Sequence, residues 1–408
     1  MFTVEFKKLL QPILLLVALL VTIVFYNQDL KFIHTYWPNG GLIPIYEHAS
    51  DWQNRYGNSL EEKDIVEIEA EYFSLIKEAD KIVSEHSIAK QLEFGNYAEF
   101  ETWSQENLSG GAENEMTEEQ TENVKIREVI QLDLVDDAGH SIVNKIEVLE
   151  NLYDSMNQFD SPEIFLNNDH YNERERERLS EILFIGENWR NIFPTELSSA
   201  VASHFGSIIT LLIFLLSLLI PSVLVRDRLL GIQNTQWSSR HGRRILWTQF
   251  ASGVTASFLL ITCILGIFGG LLYFTDFTRY FSNGLNSFFI GSDEPLLLSL
   301  FQWTFGQWLM GLVLLVYLIG MAYSGILIFL SQTSKHYLSL LMKIIPVGFV
   351  FIAITNQVLA DAFYLKNELY QWTKIPMIEL FSGILLLIIG ISLPIIFCAR
   401  QQHQDLLN

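Results

Sequence analysis

Residues 225–247 read Val-Arg-Asp-Arg-Leu-Leu-Gly-Ile-Gln-Asn-Thr-Gln-Trp-Ser-Ser-Arg-His-Gly-Arg-Arg-Ile-Leu-Trp. A carboxylate, Asp227, precedes Gly231 by four positions. The guanidinium groups of Arg240, Arg243 and Arg244 then lead directly into an apolar run. This set forms ionic contacts and hydrogen bonds, not covalent bonds. It reads as a compact amphipathic piece lying at a membrane face. The three arginines also fit a simpler task, contact with lipid phosphates and enforcement of topology.

Residue patterns for bond-making chemistry are missing. The chain has no Gly-x-x-x-x-Gly-Lys-Ser/Thr phosphate loop, no His-Glu-x-x-His and no Gly-x-Ser-x-Gly. Its nine histidines are scattered without metal-ligand spacing. Cys263 and Cys398 both lie in apolar runs, which leaves the polar part of the chain without a disulfide framework. No catalytic residue, metal site or bound cofactor is expected, and the chain is not by itself an ATPase of the phosphate-loop kind. Gln249, Gln302 and Gln307 lie within or beside apolar runs. Their expected task is interhelical hydrogen bonding, with a substrate path as the lesser one. Gly320 and Ser324, together with Gly311 and Gly325, read as close helix packing, with a gating hinge or a translocation path as the lesser reading.

These residues need elements to hold them, and the apolar runs supply those elements. Apolar runs long enough for a spanning helix, charged only at Lys343 and Glu379, occur at Leu9–Tyr26, Phe205–Val225, Ile245–Phe274, Leu296–Leu330, Leu338–Ile354 and Met377–Cys398. The fourth is too long for one crossing. It predicts a short interfacial helix carrying Phe301 and Trp303, then a crossing from about Trp308. The fold class is therefore a mainly α membrane protein with six spanning helices. Asn27-Gln28-Asp29 after the first run offers no cleavage pattern, so that run reads as a retained anchor.

Between the first two runs lies a large acidic block. Residues 27–203 hold 13 Lys/Arg and 37 Asp/Glu, a charge of 13 − 37 = −24, against −20 for the whole chain. Such a balance argues against nucleic acid as a partner and repels anionic headgroups. Periodicity predicts a helix over 64–92, with Ile65, Ile68, Tyr72, Ile76, Ile82 and Ile88 inward, and another over 142–156. Residues 124–134 read as a strand or short helix, with Ile126, Val129 and Leu132 as candidate core. Residues 109–122 read as a loop and 136–139 as a turn. The Glu-Arg alternation at 173–178 offers ion pairs at i,i+3 on a helix. The block is thus expected to be mostly helical, α or α+β, over about 29–200, between residues 1–28 and a 201–408 core.

Six crossings place both termini on one side. Inside segments hold Lys7, Lys8, Arg226, Arg228, Arg240, Arg243, Arg244, Lys335 and Arg400, against Arg279, Lys366 and Lys374 outside, as the positive-inside rule requires. The termini are expected in the cytoplasm of a bacterium and the acidic block outside its plasma membrane.

At the 226–244 segment the chain resembles the permease subunits of ABC-2 type exporters. These proteins are similar in having six helices and an acid-x-x-x-Gly element after the second, here Asp227 and Gly231. The basic turn is Ser239-Arg240-His241-Gly242-Arg243, without the proline usual in the family. The likeness covers residues 1–30 and 200–408. It implies a dimer of permeases docked on separate ABC ATPase subunits, with 226–244 as the coupling element and membrane lipids around it. It also implies export of cargo such as a peptide, lipid, drug or sodium. The alternative is a membrane-anchored sensor or immunity protein that binds a ligand through its outer domain without transporting it.

Overall fold

The computed structural model describes residues 2–39, 42–108, 117–135, 141–159, 166, 171–232, 242–287 and 297–403. Among the described residues the chain is mainly helical, and its only β contacts are isolated bridges. The main helices in chain order are α1 (Phe2–Leu9), α2 (Pro12–Phe25), α3 (Leu42–Tyr56), α4 (Glu62–Glu85), α5 (Tyr97–Leu108), α6 (Glu118–Asp133) and α7 (Ile142–Phe159). They continue as α8 (Glu173–Ser180), α9 (Glu196–Leu229), α10 (Ile245–Ile264), α11 (Phe305–Thr333), α12 (Tyr337–Leu359) and α13 (Ile378–His403). Reciprocal side-chain caps start α4 (Glu61/Asp64), α6 (Thr117/Gln120), α8 (Asn172/Glu175) and α11 (Thr304/Gln307). Each satisfies two N–H groups that a helix start leaves open.

The chain divides into two compact units. One comprises Met1–Pro38, Thr195–Leu285 and Leu296–Asn408, the other Asn39–Pro194 with Asn286–Pro295.

The first unit holds six helices long and apolar enough to cross a membrane, which gives the chain multi-pass membrane character. Spans in α9 and α11 are buried over 73% and 67% of their most apolar windows, while the other four are buried over 28% or less. Thus α9 and α11 form the hub, and α2, α10, α12 and α13 turn much of their surface outward, as lipid permits. Backbones meet most closely between α11 and α13. A Cβ placed on Gly325 would lie 2.3 Å from the Gly390 carbonyl oxygen, and one on Gly390 equally close to that of Ala322.

Two spans differ from the sequence reading. α9 starts nine positions before Phe205, because polar residues of its first turns are satisfied inside the unit. Ser198 shares a 2.6 Å hydrogen bond with the Tyr364 hydroxyl, and His204 bonds the Phe268 carbonyl at 3.2 Å. Residues 297–304 form no helix. Phe305 N donates to Asn283 O at 2.9 Å and Leu285 N to Trp303 O at 3.1 Å, so the end of this segment pairs in an extended form with residues 283–285. The predicted interfacial helix is therefore absent.

The second unit is a helical core in which α4, α5, α6 and α7 bury Ala79, Val83, Phe100, Ile130, Leu134, Ile142 and Ile146. Residues 124–133 belong to α6, and Leu134 caps its end. Ile130 and Leu134 are fully buried, whereas Val129 and Leu132 are exposed, so the inward stripe follows a four-residue step. The 64–92 helix breaks at His86, whose backbone is extended, before a short turn at Ser87–Gln91. Arg178 pairs with Glu181 at 2.5 Å at i,i+3 spacing, but Glu175 is buried and caps α8. The predicted turn at 136–139 lies outside the described residues, as does 109–116 of the predicted loop, while Thr117 caps α6 and 118–122 begins it.

Candidate functional site: a buried charge cluster at one end of the bundle

Asp227 belongs to the last turns of α9 and is buried. Its Oδ2 accepts a hydrogen bond from Lys8 Nζ at 2.5 Å. Lys8 also donates to Glu5 Oε1 at 2.7 Å, within the same helix α1. Glu5 is itself buried, and its Oε2 accepts from Gln249 Nε2 of α10 at 3.4 Å. Beside them Arg226 Nη1 donates to Gln11 Oε1 at 3.0 Å, and Gln11 Nε2 to the Lys8 carbonyl at 3.1 Å. Three elements that are far apart in sequence, α1, the end of α9 and the start of α10, are thus tied by one polar network.

Local sequence explains α1. Phe2 and Val4 are exposed while Glu5 and Leu9 turn inward, so the helix buries its charged edge. Pro12 at the first turn of α2 and extended Gln11 before it separate the two helices. Burying Glu5 and Asp227 costs several kcal/mol per ion unless partners compensate. One ammonium shared between two carboxylates supplies that compensation. Burial alone would lower the Lys8 pKa. Its hydrogen bonds to Asp227 and Glu5, and their charges, outweigh it and hold the ammonium above its ordinary value.

The remaining residues of the predicted element follow a different pattern. Gly231 adopts φ +69° in open space at the turn after α9, a conformation that costs glycine little. Arg244 is exposed and precedes α10, and Arg243 lies in the short turn Gly242–Arg244. Arg240 lies outside the described residues. The element is therefore split between a buried carboxylate and an exposed rim. Among the described residues Asp227 is tied to α1 through Lys8.

The other sequence candidates separate by position. Gln249 joins the charge cluster. Gln307 is exposed and serves as the α11 cap, its Oε1 accepting from Thr304 N at 3.1 Å. Gln302 is exposed in the extended segment. Ser324 is buried against α10, 2.5 Å from the Ser257 hydroxyl, and a Cβ on Gly320 would meet Ile261 Cδ1 at 2.9 Å. The sequence reading missed Glu5 and Gln11 and took Lys8 only as a topology charge. The signal was present: an acid three residues before a lysine on a short amphipathic stretch that ends at a proline.

The same end of the bundle holds the end of α13, where Gln402 Oε1 accepts from Trp247 Nε1 at 3.3 Å. At the opposite end Tyr364, Ala362 and Phe363, between α12 and α13, bond Ser198, Trp308 and Glu379. Among the described residues no group of three or more His, Cys, Asp or Glu is placed to hold a metal ion. Compared with known protein families, curated proteins and solved structures, the chain gives no match.

Proposed function

We propose that this chain is the membrane-spanning permease subunit of an ATP-driven exporter, working with a separate ABC ATPase and a second permease copy. One observation carries the reading. The acid of the acid-x-x-x-Gly element is buried and clamps α1 to the end of α9, the hub helix. A force applied at α1 is delivered to α9 through this short ionic link. A link of this kind suits a subunit that receives a mechanical stroke. The absence of a phosphate loop from the sequence fits energy supplied from outside the chain. In this reading the α1 end faces the cytoplasm, the acidic unit lies outside, and lipids surround the other four spans.

The test is affinity purification under mild detergent from cells with the neighbouring genes intact. An ABC ATPase should co-purify, and its hydrolysis should respond to the permease. Gly231→Val, which strains the φ +69° turn, should insert normally yet weaken that response. Purification of the chain alone, with no ATPase at any detergent strength, overturns the proposal.

A further inference from the structure

The spanning unit contains a cleft at the end of the bundle opposite the Lys8–Asp227 cluster. It has a volume of about 470 Å³ and is lined by residues of α9, α12 and the turns next to them. Its polar lining is distinctive for an apolar bundle. Ser199, Ser203 and Ser207 succeed one another at four-residue steps on α9, so their side chains share one helix face, with Thr210 one turn further. Asn356 faces them from α12. Asp29, in the π-turn that follows α2, and Asp361, just after α12, are the charged groups of the lining among the described residues, none of which brings a lysine or arginine to it.

Three features bear on what such a cleft holds. Polar side chains within spanning helices are costly when they face lipid and are retained where they line a path or a site. The lining offers carboxylate, hydroxyl and amide oxygens, the donor set of cations. Asp361 is also held in place: its backbone is left-handed at φ +48°, and its Oδ1 accepts from Ser199 Oγ at 3.1 Å. An orienting bond and a fixed backbone aim this carboxylate without a basic partner in the lining. Ala202, Gly206, Ile352, Leu359 and Ala360 supply apolar walls.

We propose that this cleft binds a cationic group, with Asp361 and Asp29 as counter-charges and the α9 hydroxyls as orienting ligands. As the identity of a cargo, the inference rests on the permease reading above. As a binding site it stands without that reading. None of the residues singled out from the sequence lines the cleft, since its carboxylates fall outside the apolar runs and its serines resemble ordinary helix-packing residues.

The probe is tetraphenylphosphonium, with tetraphenylborate as the anion of the same shape. Both are titrated onto the full chain in lipid nanodiscs lacking any ATPase, with empty nanodiscs subtracted. Saturable binding of the phosphonium and none of the borate is expected. Asp361→Asn retains a side chain that tolerates φ > 0 and still accepts from Ser199, so it removes charge with little change of shape. It should weaken binding about tenfold, equivalent to about 1.4 kcal/mol. Asp29→Asn should weaken it in the same direction. Displacement of the probe by sodium at millimolar concentration assigns the site to an inorganic cation. Displacement by tetraethylammonium alone assigns it to an organic one. Equal binding of phosphonium and borate, or phosphonium binding unchanged in the correctly folded double variant, overturns the proposal. No ATPase is present, so failure to co-purify one refutes the transport reading and leaves this result intact.

Discussion

Asp227 and Lys8 show how a single polar contact organises one end of the bundle. Truncating one partner of a buried ion pair strands the other, at a cost of about 3–5 kcal/mol. Asp227→Ala strands Lys8 beside Glu5 alone. It should destabilise the chain by about 3 kcal/mol, since Lys8 keeps one carboxylate and some solvent. Lys8→Met strands two acids and should cost as much or more. The combination Lys8→Met with Asp227→Leu should recover part of the loss, which thermal unfolding of all four proteins in one detergent would reveal. Purely additive losses would mean that the two residues do not act as a pair. A pH dependence follows from the same contact. The Lys8 pKa is raised in the folded chain, so its contribution is complete below its ordinary value near 10.5. It is lost as pH climbs through the folded value. Protease cleavage near Leu10 should therefore stay slow at neutral pH and accelerate only in strong alkali, and in Asp227→Asn the onset should move to lower pH.

At the scale of elements, the α11–α13 contact sets the strictest requirement. A Cβ at Gly325 or Gly390 meets backbone oxygen, which cannot rotate away as a side chain does. Gly390→Ala should therefore cost about 2 kcal/mol or more, within the range for overpacked cores. Gly311→Ala, whose Cβ would meet the Phe363 ring at 2.9 Å, should cost less because a ring can shift. Monodisperse yield by size exclusion and melting temperature would rank them, and a reversed order would refute the argument. In the second unit, His48 is buried against Trp52, and burial holds its pKa below the ordinary histidine value. A neutral buried imidazole stabilises above pH 6.5 and loses that contribution as pH falls. His48→Gln should thus flatten the acid side of that unit's stability curve below pH 6.5.

These elements also mark what a sequence reveals. The spans were legible because lipid demands long uncharged runs and little else has that pattern. Gln249 was found because a polar group inside such a run is conspicuous, and Asp227 because it opens a charged turn. The partners of Asp227 were not legible. Lys8 lies 219 positions away, and nothing local distinguishes an ion-paired lysine from one that anchors a helix end. The start of α9 was misplaced for a related reason. Ser198 and His204 lower hydropathy, and only the fold shows that Tyr364 and a carbonyl satisfy them. Gln307 was read as a polar residue in a span, but three positions after Thr304 it completes a capping box that the sequence already contained.

For the whole molecule, the two ends of the spanning unit carry different charge. Lys8, Arg226, Lys335 and Arg400 belong to the end where α1 meets α9 and α10 and where α11 and α13 finish, whereas Arg279, Lys366 and Lys374 belong to the other. Basic residues near span ends are retained on the cytoplasmic side during insertion. The α1 end is therefore predicted to face the cytoplasm, with Asn39–Pro194 on the far side, as large domains cross largely regardless of their charge. Fusion of green fluorescent protein after Asn408 should fluoresce, and alkaline phosphatase at that position should be inactive. External protease on intact cells should cleave within Asn39–Pro194 and leave the C-terminal tag protected. Because α1, α9, α10 and α13 are bonded at one end, the orientation is all or none: the reporters cannot invert for the C-terminus without inverting for Lys8. An active phosphatase at Asn408 would place Asp227 and its network outside the cell. An ATPase could not reach them there, and the coupling role would be lost, although the fold and the cation cleft would be untouched.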